Sequence, residues 1–394
     1  MRQTSRLPLL IGLALVLLGA VGCQDPDQAL RERALTVARD ALALEGVDSY
    51  DRVVAAGILL SGGSVEGEEV LLDALTSGAE LARQAAVGAV LTVRGPRAIA
   101  WFERHSTQSE ALKRSVLEGL RFTPRADAGS LIESAIRSGQ PQLQVAALDA
   151  AAISRSQRLL PLVEEYVPKL DDERMKAYAI YAAASLGSSK IAAMVEPLLV
   201  SRGELQREIA AACLGMEPTE WAHNALARLA RDPSPRVRIA ASASQARHGV
   251  EEAEDYLRKQ VLGRDARLAS IAAGALRRSS GDLIAELAEV VLDDPSVDEI
   301  AAGRVIEALG WARYTDAAGI LGRGVEPGRD EHIRLQSLWA VGWRGREEER
   351  GLAEAAMDDT SLAVRVMAAW AVIYNQDGGY EEGTGMFAPK QASL

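Results

Sequence analysis

The chain has 394 residues, 48% apolar and 25% charged, with a formal net charge of −11. This composition is near the average for folded proteins and argues against a disordered chain. Only 4% is aromatic, and the apolar quota is mostly Ala, Leu and Val, which suit closely packed helices and argue against an all-β architecture. The acidic balance argues against generic nucleic-acid binding, which needs many Lys/Arg contacts to phosphate. Two cysteines, Cys23 and Cys213, cannot build a disulfide framework, and four scattered histidines predict no metal centre.

From the N-terminus, Met1 to Arg6 carries two arginines, Leu9 to Leu18 is an almost unbroken apolar run, and Gly19-Ala20-Val21-Gly22 places small residues before Cys23. That order predicts a secretory signal peptide over 1–22. The run is shorter than the about 20 apolar residues a bilayer-spanning helix needs, and no second such run follows. Ala20-Val21-Gly22-Cys23 resembles the bacterial lipobox, departing from it at Ala20, where Leu is usual; the same triplet also serves an ordinary signal peptidase. The resemblance implies cleavage between Gly22 and Cys23, acylation of the Cys23 thiol, and a lipid anchor in the cell envelope. Two or three acyl chains anchor stably where one does not. Gln24 after Cys23 implies, by the Gram-negative sorting pattern, the periplasmic face of the outer membrane.

Residues 23–28 read as the lipidated Cys and a polar tether, and Leu30 to Leu44 as an amphipathic helix. A segment of the form apolar-Arg-x-x-Ala-Ala-x-Ala then recurs across 29–376, clearest at Val237 to Ala243 and Val364 to Ala371. Weaker copies stand at Arg52 to Ala56, Arg83 to Ala86, Lys113 to Leu117, Gln144 to Ala147, Ala182 to Gly187, Ala210 to Gly215, Ala272 to Leu276, Val305 to Gly310 and Leu338 to Gly342. These are about eleven copies averaging about 31 residues, a period of helical solenoids. Each has room for two helices. Asp232-Pro233-Ser234-Pro235, Asp293-Asp294-Pro295-Ser296 and Asp358-Asp359-Thr360-Ser361 read as turns with acidic caps. Gly187, Gly215 and Gly310 are expected to end helices in the left-handed conformation. The Ala pairs suit helix axes about 8 to 10 Å apart. After Gln376 the pattern stops, and 377–394 reads as a flexible tail.

The Asp-Pro…Val-Arg…Ala-Ala pattern resembles the HEAT-like repeat family, in the short bacterial form also found in phycobilin lyases, over Ser49 to Gln376. Gln144, Ala179 and Gln336 depart from it where Arg is expected. The resemblance implies an all-α fold, an α-solenoid of about eleven stacked helix pairs, drawn out as a curved rod on the order of 100 Å long.

The chain carries no His-Glu-x-x-His, no Gly-x-Ser-x-Gly elbow and no phosphate loop ending in Gly-Lys-Ser/Thr. Ser61 to Gly67 reads as a helix connection, and Asn375 to Gly378 lacks the acids of a calcium loop. His105, His223, His248 and His332 fall in different repeats and read as solvated positions. Cys213 stands where the repeat has Ala and reads as a small buried side chain. Glu347-Glu348-Glu349 beside Arg344, Arg346 and Arg350 reads as a charged surface. No catalytic residue, metal or cofactor is predicted.

Trp311, Trp339, Trp343 and Trp370 crowd the last three repeats. They either fill gaps in the stack or line its concave face as partner-binding anchors, where Trp is enriched. Glu118, Asp149 and Glu307 hold the same repeat position as Trp370. The leading expectation is a non-enzymatic scaffold anchored in the envelope, its concave face holding one or more unidentified envelope proteins. The alternatives are carbohydrate or peptidoglycan binding through the tryptophans, and a lyase-like enzyme. The latter is disfavoured because phycobilin lyases act on cytoplasmic biliproteins.

Overall fold

The computed structural model describes residues 25–376 except 45–48, 77–79, 94–96, 106–108, 121–127, 155 and 313–315. The expected signal segment, Cys23 and the 377–394 tail lie outside the described residues. Those residues form twenty-two α-helices and no strand, arranged as eleven pairs. The first six pairs are α1 (Pro26–Ala43) with α2 (Ser49–Ser61), α3 (Glu68–Thr76) with α4 (Glu80–Leu91), α5 (Arg97–His105) with α6 (Glu110–Gly119), α7 (Gly129–Ile136) with α8 (Pro141–Ser154), α9 (Leu160–Tyr166) with α10 (Glu173–Ser185), and α11 (Ile191–Leu199) with α12 (Glu204–Leu214). The other five are α13 (Glu220–Leu229) with α14 (Pro235–Ala246), α15 (Glu251–Val261) with α16 (Ala266–Ala275), α17 (Gly281–Asp293) with α18 (Glu299–Trp311), α19 (Ala318–Gly324) with α20 (Glu331–Arg344), and α21 (Glu347–Ala356) with α22 (Leu362–Gln376). The all-α solenoid of eleven pairs expected from the repeat is therefore present. Helix α1 begins at Pro26, with Asp25 as its N-cap, so part of the expected tether is helical.

The two helices of a pair differ in composition because they differ in environment. Odd-numbered helices are amphipathic and bury one stripe, as α15 does with Ala253, Leu257 and Val261. Even-numbered helices pack against the even helices before and after them and against odd helices behind. They are buried on three sides, which is why α14 buries Val237, Ile239, every residue from Ala240 to Ser244, and Ala246. Many begin at an acidic or hydroxyl cap: Asp172 accepts from the Met175 amide at 2.7 Å, and Asp298 from Ala301 at 3.0 Å. Such a cap contributes about 1 kcal/mol.

The stack closes on itself. The last even helix, α22, packs against both α1 and α2, as each earlier even helix packs against the next pair. Leu30, Ala34 and Ala38 of α1 and Ala55, Ile58 and Leu59 of α2 share one buried apolar cluster with Ala369, Val372 and Ile373 of α22. A second cluster runs from Val53 and Ala56 of α2 to Val237 and Ala240 of α14. The two clusters meet at α2 and at α14, so the core is continuous around a ring. The curved rod expected from the sequence is corrected: the small rotation between pairs, repeated eleven times, brings the ends together. At about 10 Å per helix, the inner even helices enclose an opening on the order of 35 Å between opposite axes.

Polar clasps fix successive pairs. Arg207 holds Asp232 of the next turn with hydrogen bonds of 2.6 and 3.0 Å, and Asp232 in turn accepts from the Ser234 amide at 2.8 Å. Arg238 then donates to the carbonyls of Asp232 and Pro233. The same unit recurs at the last turn, where Arg334 holds Asp359, Asp359 accepts from Ser361, and Arg365 donates to the carbonyls of Asp359 and Thr360. The Asp-Pro…Val-Arg pattern thus encodes an inter-repeat clasp.

Three sequence expectations are corrected in the packing. Gly187 is left-handed at φ +82°, but Gly215 is right-handed and Gly310 lies inside α18. Their role is close approach: a Cβ on Gly310 would lie 2.6 Å from the Trp339 ring, and one on Gly215 2.5 Å from the Ser244 hydroxyl. Arg344 and Glu349, expected on a charged surface, are 0% and 1% exposed and form an ion pair at 2.8 Å. Arg344 also donates to the carbonyls of Leu309 and Ala312 at 3.1 and 2.7 Å, tying the end of α18 to the turn before α21. The histidines do not stay apart: His223 of α13 and His248 after α14 meet edge to face, with centroids 4.9 Å apart.

Candidate functional site

Each even helix has neighbours on both flanks and odd helices behind, so its one incompletely buried stripe faces the opening. On α18 that stripe is Ile300, Arg304, Glu307 and Trp311, spaced by about one turn. Corresponding positions around the ring make one continuous inner face with three chemically distinct sectors.

The first sector spans α6, α8 and α10, where an open hollow of about 430 Å³ is lined by Arg114, Glu118, Gln142, Asp149, Arg174 and Tyr178. Two of its acids, Glu118 and Asp149, are those the repeat register placed with Trp370. Arg114 donates to Glu118 at 2.7 Å and to Gln142 at 3.4 Å, and the carboxylate holds its guanidinium more basic than usual. Arg174 sits 5.9 Å from the centre of the Tyr178 ring.

The second sector lies on α16 and α18 and is basic. Arg304 lies across Gly274, whose missing Cβ would come within 3.3 Å of its Nη1, and donates to the Ser270 carbonyl at 2.9 Å. Arg277 and Arg278 extend α16 in a 3₁₀ turn. Burial pushes the carboxyl of Glu307 up, against the opposing pull of Arg277, Arg304 and His332.

The third sector is aromatic. Trp311 stands 6.2 Å from Trp339 and 5.1 Å from Trp343; Trp339 stacks on Trp343 at 5.3 Å and 13°, Trp343 on Tyr374 at 5.7 Å and 5°, and Tyr374 on Trp370 at 5.0 Å and 18°. The four tryptophans named from sequence are thus one ladder across α18, α20 and α22, with Tyr374 as a rung that sequence reading missed. Trp343 and Trp370 are only 2% and 7% exposed and pack as core. Trp311 and Trp339 are half-buried and keep part of their surface at the opening.

Cys213 is fully buried, and burial pushes its thiol far up, away from nucleophilic use. Among the described residues no group of three or more His, Cys, Asp or Glu side chains is placed to hold a metal ion, and no helix is long and apolar enough to cross a membrane. What the inner face offers is complementary binding by charge and aromatic surface. The basic sector was also missed in the sequence, although Arg277, Arg278 and Arg304 could have been found by projecting the repeat onto its inner stripe.

No protein-family model matches the chain, and no curated protein matches it. Among solved structures it is similar to human deoxyhypusine hydroxylase in complex with glycerol, at 19% identity over 81% of this chain and 99% of that one, with a TM-score of 0.33. It is also similar to Kap121p bound to Ste12p, at 13% identity over 85% of this chain and 44% of that one, TM-score 0.33. A third is UNC-45 from Drosophila melanogaster, at 13% identity over 86% of this chain and 62% of that one, TM-score 0.27. All three are helical repeat proteins. At these identities and TM-scores nothing about the ligand or chemistry of this chain follows from them.

Proposed function

We propose that this protein is a ring-shaped, non-enzymatic interaction scaffold whose inner face holds a protein partner, and that acyl chains on Cys23 tether it to the cell envelope. The observation carrying the first half is the unbroken inner face, where Arg304, Glu307, Trp311 and Ile300, the last 59% exposed, share one helical stripe. Such a mixture of guanidinium, carboxylate, indole and aliphatic surface suits a polypeptide better than a small substrate. The anchor rests on the Leu9 to Leu18 run and on Ala20-Val21-Gly22-Cys23. A glycan platform is less well supported, because Trp343 and Trp370 lie in the core, covered rather than presented.

The test is site-specific photo-crosslinking in cells, with the crosslinker at Ile300 on the inner face and at Val200, 80% exposed after α11, as the outside control. One discrete protein adduct from Ile300 and none from Val200 is expected. Adducts confined to Val200 would remove the inner-face reading. For the anchor, Cys23→Ser should release the protein from membranes, and sedimentation of that variant with membranes after a high-salt wash would remove the lipid tether.

A further inference from the structure

We propose that the basic sector, centred on Arg278 and Arg304, docks an acidic polypeptide segment of the partner; this rests on the inner-face scaffold reading above.

The chain as a whole has 55 acids against 44 Lys and Arg, so carboxylates are in surplus, and arginines elsewhere find them across repeats. Arg207 meets Asp232, Arg258 meets Glu286 at 2.7 Å, and Arg334 meets Asp359. Arg304 and Arg278 break this habit. Arg304 is held in place by a backbone carbonyl, with no ion-pair contact among the described residues, and the buried Nε of Arg278 has no hydrogen-bond partner there. A buried donor without an acceptor is costly at Arg278 unless something else supplies the anion, and the exposed guanidinium of Arg304 is open to the same anion. Glu307 is the one inner-stripe carboxylate beside Arg277, Arg304 and His332.

The surroundings indicate the kind of anion. Ile300 is one turn from Arg304 on the same stripe, and Trp311 lies two turns beyond it, half-buried against Trp339. A polyanionic glycan has no side chain with which to cover Ile300. A peptide carrying Asp or Glu next to large apolar residues answers both features.

The full-length protein in detergent would be titrated with three fluorescein-labelled probes: a Glu-Leu repeat peptide, a Lys-Leu peptide of equal length, and dextran sulfate. Anisotropy should show binding of the Glu-Leu peptide alone, weakening at least tenfold as salt screens the contact. Arg278→Gln/Arg304→Gln should weaken it at least tenfold further, Arg278→Lys/Arg304→Lys should retain most of it, and Arg323→Gln on outer helix α19 should leave it unchanged. Thermal melts identify any variant that fails to fold. Equal binding of the Lys-Leu peptide, binding of dextran sulfate alone, or an unchanged Kd in the Gln variant would each overturn the assignment. An Ile300 adduct in cells that persists in the Gln variant would overturn the acidic segment and leave the scaffold standing, whereas no adduct at Ile300 removes both.

Discussion

The side chain of Gln376, in the last turn of the last helix, donates a 2.7 Å hydrogen bond to the carbonyl of Asp27, in the first turn of the first. Around it, Arg350 pairs with Asp27, and Arg33 pairs with Asp358 at 2.6 Å. These contacts rim an apolar seam in which Leu30, Ala34, Ala38 and Ala41 of α1 are buried. A solenoid with free ends needs polar caps on its terminal repeats. Here each end serves as the cap of the other.

The seam predicts a difference in scale between its parts. Asp27, Asp358 and Arg33 are well exposed, so Arg33→Ala or Arg350→Ala should change stability by no more than about 1 kcal/mol. Removing α1 should instead expose the apolar faces of α2 and α22 together. Small-angle scattering is expected to show a longer maximum dimension for the 25–44 deletion, or self-association through the bared seam. A profile matching that of the intact ring would show that α1 does not hold it closed.

How much of this was legible beforehand depends on the range over which a residue acts. The Asp-Pro turn was written in the chain because Asp232 and Arg238 lie within one turn-helix unit, and the Ala pairs because packing between neighbouring helices repeats every pair, whereas the clasp from Arg207 to Asp232 joins two pairs and was not read. Ring closure was not legible. It depends on a small rotation per pair summed over eleven pairs, and no local pattern around Asp27 or Gln376 announces that they meet. Gly310 was misread for a related reason: a glycine near a helix end looks like a cap until Trp339, one repeat later, is seen occupying the space its Cβ would take. Likewise Arg344 and Glu349 look solvated in a run of charges, because burial of one side of a turn is decided by α18, a full repeat upstream. On the inner face, the tryptophans were picked out by their crowding, whereas their split into core and surface rungs required the packed neighbours.

The glycines therefore make opposite predictions at two positions inside helices. Gly310→Ala should overpack against the Trp339 ring and cost about 1–3 kcal/mol, read as a lowered denaturation midpoint. Gly351, exposed in the interior of α21, has nothing within 4 Å of its absent Cβ. Gly351→Ala should stabilise by roughly 0.5–1 kcal/mol through helix propensity alone. If both substitutions shift stability in the same direction, the close-approach role of Gly310 is wrong.

Acid should weaken the ring in two steps. The hydrogen bond from Arg207 holds the Asp232 carboxyl below its usual range, and Asp359 is also held low, its bonds from Ser361 and Arg334 outweighing an opposing push from burial. A depressed carboxyl adds stability above the unfolded value of about 3.9 and loses it as pH falls through the lower folded value. His248 is depressed as well, chiefly by burial and then by His223 and Arg247. Its contribution is present above about pH 6.5, the unfolded value, and is lost below it as the folded state resists protonation. Thermal melts across pH should show a small decline below about pH 6.5 and a steep one below about pH 4. His248→Gln should remove the first and leave the second, and Asp232→Asn should blunt the second while costing roughly 1.5–3 kcal/mol at neutral pH. A single decline indifferent to both substitutions would rule out these groups as its source.

The Arg344–Glu349 pair offers the most demanding test, because its two charges have almost no solvent to fall back on. Burial pushes the Glu349 carboxyl up and the Arg344 guanidinium down, each against the attraction of the other. The ions survive together because Arg344 keeps both Glu349 oxygens, at 2.8 and 2.9 Å, and two backbone carbonyls. Glu349→Gln preserves the shape and a hydrogen-bond acceptor but leaves the guanidinium uncompensated, so it should cost about 3–5 kcal/mol. Replacing both partners with apolar residues, as in Arg344→Met/Glu349→Leu, removes both desolvation penalties and should recover much of that loss. Chemical denaturation of the two variants checks this ordering. A double variant no more stable than Glu349→Gln would mean that the carbonyls of Leu309 and Ala312, deprived of their donor, dominate the site instead of the buried charge.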